Sequence, residues 1–139
     1  MSACVEQVRH NEAFHKSIST SFPDTYFDWK ITCLFYCAYH LIKALAEHRN
    51  AKIGDRHTEI MWNLNPKNQD RPMSFKAKAF DNYDILFTYS WEARYEGITT
   101  DYIAWQEIRK ADYLHAMKLY EYLKNYVNGE GVKNPQLCH

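Results

Sequence analysis

Cys33, Cys37 and His40 follow one another at spacings of four and three residues. On a helix, at about 100° per residue, that spacing sets two thiols and an imidazole on one face, a partial ligand set for zinc. A closed zinc site needs a fourth ligand, commonly from a CxxC knuckle, and the chain contains no CxxC. The two cysteines are therefore read as small buried fillers, with no metal and no other cofactor expected. His57, behind Arg56 in GDRHTEIMWNL, stands at a helix start, where backbone N–H groups and the helix dipole favour anions. Those letters fit either a phosphate contact or an ordinary polar turn. Arg94, Asp112 and His115 interrupt the apolar faces of the last two long helices. An unpaired buried charge is costly, so Arg94 and Asp112 are expected to form a buried pair that fixes helix register. The alternative is a phosphate grip in which His115 exchanges a proton near neutral pH. His40, His57 and His115 are the candidate acids or bases, and Arg56, His57 and Arg94 the candidate ligand or phosphate contacts.

Helices must position these groups. The chain of 139 residues carries 11 Tyr, 7 Phe and 4 Trp but only 4 Gly and 4 Pro, a balance that favours helices over a turn-rich sheet fold. Apolar spacing predicts helices from about Ala3 to Ser19, Phe27 to Arg49, Phe75 to about Tyr95, and onward from Thr99, Thr100 and Asp101. A short helix ending at Leu64 is expected to start at Asp55, and Asp24 or Thr25 to cap the second helix. One domain over residues 1–127 and a flexible tail over 128–139 complete the division. With 17 basic and 17 acidic residues the formal charge is zero, so no global field draws the chain to nucleic acid or an anionic membrane. No apolar run suits a signal peptide or a membrane span, and the expected location is cytoplasmic.

The second helix has an unusual number of uncharged positions. Phe27, Ile31, Leu34, Phe35, Ala38, Leu41, Ile42 and Leu45 form one core-facing stripe. Trp29, Cys33, Tyr36, Cys37, His40 and Ala44 form a second, a third to a half turn away. Large apolar faces are rarely left exposed, so Trp29, Tyr36 and His40 are expected to bury a homodimer interface.

Three segments in this order resemble the HEPN family of helical nucleotide-binding domains found in higher eukaryotes and prokaryotes. FYCAYHLIKALAEH over 35–48 is similar to the aromatic, small-residue, histidine and Ala-Leu pattern of that family's second helix. RHTEIMWNL over 56–64 resembles its histidine-led short helix, and YDILFTYSWEARYEG over 83–97 its helix ending in arginine and tyrosine. The likeness spans roughly residues 10–127. It implies an all-α, up-and-down four-helix bundle with an additional short helix, frequent homodimers, and association with nucleotides or RNA, often beside a nucleotidyltransferase partner. Ribonuclease members resemble one another in an arginine followed four to six residues later by a histidine at a helix start. Arg94 matches that arginine by position, and ARYEGITTDY contains no histidine. Arg9 with His15 and Arg109 with His115 have the spacing elsewhere, and six residues leave the second pair about 120° from alignment.

The expected function is thus a non-catalytic nucleotide- or RNA-binding and dimerisation module. A metal-independent endoribonuclease of the toxin or defence type is the enzymatic alternative. A purely structural interaction module is the third.

Overall fold

The computed structural model describes residues 2–98 and 101–132, among which five helices and no strand form. Helix α1 runs Ala3–Ser21, α2 Phe27–His48, α3 His57–Leu64, α4 Ala77–Tyr95 and α5 Tyr102–Gly129. The Ser2 hydroxyl caps α1 by accepting from the Val5 N–H at 3.2 Å, and Asp101 caps α5 by accepting from the Ile103 N–H at 3.1 Å. The caps expected at Asp24 or Thr25 and at Asp55 do not form. Tyr26, in the left-handed region at φ 58°, occupies the N-cap of α2 in place of Asp24 or Thr25. Asp55 accepts a hydrogen bond from Lys43 Nζ at 2.6 Å, leaving Arg56 at the N-cap of α3 without a side-chain cap bond. Phe75 is buried ahead of α4, and the Lys76 N–H donates to Tyr126 Oη, so the helix begins two residues later than its apolar pattern suggests.

α2 lies at the centre and packs on α1, α4 and α5. Phe27 meets Tyr113 and Arg49 meets Glu130, so α5 runs parallel to α2. Phe35 stacks on Tyr83, and Arg49 donates to the Ser74 carbonyl, so α4 runs antiparallel to it. Asn11 meets Cys33 while Glu47 acts on Cys4, which sets α1 antiparallel as well. All eight residues of the main α2 stripe are buried. At roughly 1.5–3 kcal/mol per large buried apolar side chain, that stripe is a principal source of stability.

The second stripe divides. Cys37 and Ala44 are buried, Cys33 and His40 half-buried beside α1, and Trp29 and Tyr36 remain exposed. α1 therefore supplies, within one chain, part of the cover that the sequence pattern assigned to a partner. On α5 the buried face includes Arg109, Tyr113, Ala116, Tyr120 and Leu123, which leaves Ile108 exposed. The helix continues past Val127, and Val132 is buried; the remainder of the tail, with Cys138, lies outside the described residues, as do Thr99 and Thr100.

Candidate functional site

The C-terminal turn of α4 brings Arg94 against the outer face of α2. Its Nη1 donates to Tyr36 Oη at 2.9 Å, its Nε to the Ser90 carbonyl and its Nη2 to Ser90 Oγ, both at 3.2 Å. The guanidinium also lies 5.8, 5.6 and 5.3 Å from the ring centres of Phe35, Tyr36 and Tyr95. Contacts of this kind hold a guanidinium plane in place and leave further N–H groups of the fork for an anion. The expected Arg94–Asp112 pair does not form. Asp112 instead accepts from Arg109 Nη1 at 2.9 Å, because the two residues are three apart on α5 and share a face. Among the described residues Arg94 has no carboxylate partner.

His57 lies inward of this corner. Its ring stacks on Phe87 with centroids 3.4 Å apart, and Phe35 and Tyr83 pack around it. Burial pushes its pKa below the ordinary value, the Arg94 charge pushes the same way, and Asp84 opposes them. His57 Nδ1 and Tyr83 Oη are both buried without a hydrogen-bond partner among the described residues. Arg56, at the N-cap beside it, is exposed.

A groove of about 330 Å³ opens between α1 and α2, with Gln7, Asn11, Phe14, Trp29, Tyr36 and His40 on its walls; Arg94 does not line it and is linked to it through Tyr36. His40 is half-buried, its pKa lowered by burial and by Lys43. Cys33 opens onto the same groove and donates through Sγ to the Asn11 carbonyl. Cys37 behind it is fully buried, its thiol pushed up by a hydrogen bond with the Cys33 thiol and by burial. Among the described residues no group of three His, Cys, Asp or Glu side chains is arranged to hold a metal ion.

Comparison with protein-family models, curated proteins and solved structures finds no match to this chain. The site must therefore be judged on its own geometry. Tyr36, Arg94 and His57 gather at one corner, and His40 lies in the adjoining groove. His115 is elsewhere: it is exposed on α5, with Nδ1 2.7 Å from Tyr89 Oη, rather than interrupting a buried face.

Two polar clusters were not singled out from the sequence. Lys124, buried on α5, pairs with Glu12 of α1, and Tyr120 Oη donates to the same carboxylate at 2.8 Å. Lys30, almost fully buried, donates to the Phe22 carbonyl at 2.5 Å and sits over the Phe27 and Tyr113 rings. Both lysines fall where the apolar periodicity calls for core, which was the available signal. Among the described residues no helix is long and apolar enough to cross a membrane.

Proposed function

We propose that this chain is a HEPN-like helical domain, an up-and-down four-helix bundle with one short added helix, that binds a nucleotide or RNA without cleaving it. One observation carries the reading: Arg94 is an oriented guanidinium with no carboxylate partner among the described residues, set among aromatic faces. Arginine forks recognise phosphate oxygens bidentately, and exposed rings such as Trp29 and Tyr95 offer surfaces on which bases stack. A homodimer through Trp29, Tyr36 and His40 is the competing use of the same face, since it would bury the rings that a base would stack on. A nucleotidyltransferase is the further partner that the resemblance implies. Free Cys4, Cys33 and Cys37 suit a reducing compartment, and we assign the cytoplasm.

Titration with ATP and with a short RNA, alongside incubation of that RNA in EDTA, tests the reading. We expect binding that weakens about tenfold or more in Arg94→Ala, with the RNA left intact. The endoribonuclease reading has one observation in its favour: the Arg94 charge reaches His57 and helps keep its imidazole neutral, the form a general base requires. EDTA-resistant cleavage that His57→Ala loses while keeping its helical circular dichroism would replace the binding module with that enzyme.

A further inference from the structure

We infer that the groove between α1 and α2 is a nucleobase site, and that the ligand of this corner is a single nucleoside monophosphate whose phosphate lies on Arg94. The inference rests on the anion-binding reading of Arg94 and adds what occupies the space beside it. Gln7 and Asn11, one turn apart on α1, are hydrogen-bonded to each other through Nε2 and Oδ1 at 2.9 Å. Whichever way the two amides are turned, that bond uses one carbonyl and one NH₂ and leaves one of each unspent. A free acceptor on one amide and a free donor on the other can together complement an adenine edge, where an exocyclic NH₂ adjoins a ring nitrogen. Phe14, Trp29 and Tyr36 are all exposed on the same groove and supply ring faces for the base.

Tyr36 joins the two halves, since it lines the groove and its hydroxyl accepts from Arg94. Size and charge both favour a mononucleotide over a strand. A groove of about 330 Å³ is at the small end of ligand sites. Binding of a nucleic-acid strand draws on many phosphate contacts, whereas the chain has equal numbers of basic and acidic residues and offers Arg94, with Arg56 exposed beside His57, at this corner.

Calorimetric titration of the full chain with AMP, adenosine and ribose 5-phosphate separates the halves. We expect AMP to bind more tightly than either fragment, and Asn11→Leu and Trp29→Ala each to weaken AMP and adenosine about tenfold. In Arg94→Ala the ratio of AMP to adenosine affinity should fall towards one. AMP affinity unmoved by Asn11→Leu and Trp29→Ala would overturn the base site and leave the Arg94 reading standing. Adenosine binding that these two variants weaken, with an AMP-to-adenosine ratio unmoved by Arg94→Ala, would retain the base site and remove the phosphate from Arg94. A short RNA that binds more than about tenfold tighter than AMP would overturn the mononucleotide assignment. Sedimentation is the last arm. A dimer that Trp29→Ala converts to monomers while nucleotide affinity is unchanged would make the groove an interface between copies and overturn the proposal.

Discussion

Arg94 and Arg109 meet α4 on two different faces and have opposite surroundings. Glu92 lies on one face of α4 and Glu96 follows at its C-cap, while Arg94, two residues from Glu92, points about 200° away from it. Arg109 reaches the acidic face from α5, lying 3.8 Å from Glu92 and 3.7 Å from Glu96, with Asp112 at 2.9 Å. Its side chain is 8% exposed. Arg94 turns to phenol, hydroxyl and carbonyl oxygens and to ring faces. A guanidinium enclosed by carboxylates is spent on joining helices, whereas one held by neutral acceptors is fixed in place and still open to an anion. Residue type does not distinguish them; the helix face on which each finds its partner does.

The largest effect is expected on the Arg109 side. Burial raises the pKa of Asp112 against the pull of Arg109, and burial together with Glu96 and Asp112 raises that of Glu92. Arg109→Met would leave these carboxylates without their cation; because they are part-exposed, the cost should lie below the about 3–5 kcal/mol of a fully buried pair, at roughly 2 kcal/mol. Urea unfolding at pH 7 reads this directly. The loss should shrink as pH falls, because protonated carboxylates no longer repel one another. A loss below about 1 kcal/mol, on the scale of an exposed ion pair, would remove the structural role given to Arg109.

Arg94→Ala should cost less, about 1 kcal/mol, since it gives up neutral hydrogen bonds and cation–π contacts at a partly open site. Its distinguishing effect is on His57. The folded His57 pKa is depressed below 6.5, so its neutral form contributes stability that is fully present above 6.5 and lost as pH falls through the unfolded value towards the depressed one. Half-buried His15 and His40 are depressed by burial as well and add to the same slope. Thermal midpoints should therefore rise between pH 5 and pH 7. In Arg94→Ala the His57 imidazole resonances should titrate at higher pH, because one of the two depressing influences is gone. An unmoved His57 titration would show that the two residues do not communicate.

The sequence reading was strongest where one residue's environment follows from its own helix. Every residue of the Phe27-to-Leu45 stripe is buried, because a 3.6-residue period admits one inward face once a core exists. The same rule pairs Arg109 with Asp112, three residues apart, in place of the Arg94–Asp112 pair that the interrupted apolar faces suggest. Polar partners drawn from other helices were not readable: Glu12 with Lys124 lies 112 residues apart, and Arg94 with Tyr36 58 apart. Periodicity also could not say that α1, rather than a second chain, would cover Cys37 and Ala44. The Gln7–Asn11 bond was readable as an i,i+4 pair, yet its meaning depends on the aromatic wall that α2 brings to it.

The smallest expected change in stability comes from the substitution that makes Arg94 resemble Arg109. Tyr36→Glu places a carboxylate where the phenol now meets the guanidinium, at a position 39% exposed. An ion pair there contributes about 0–1 kcal/mol, roughly offsetting the lost hydrogen bond and ring contact, so urea unfolding should differ little from wild type. Binding should not survive so well. The new carboxylate competes for the N–H groups that an anion would use and repels the anion itself, so nucleotide affinity should fall at least as far as in Arg94→Ala. If the face also joins two copies, sedimentation should give monomers, since each protomer would then bury an added charge. Nucleotide affinity kept intact in a folded Tyr36→Glu protein would show that the ligand does not use this guanidinium, and Arg94 would then be as structural as Arg109.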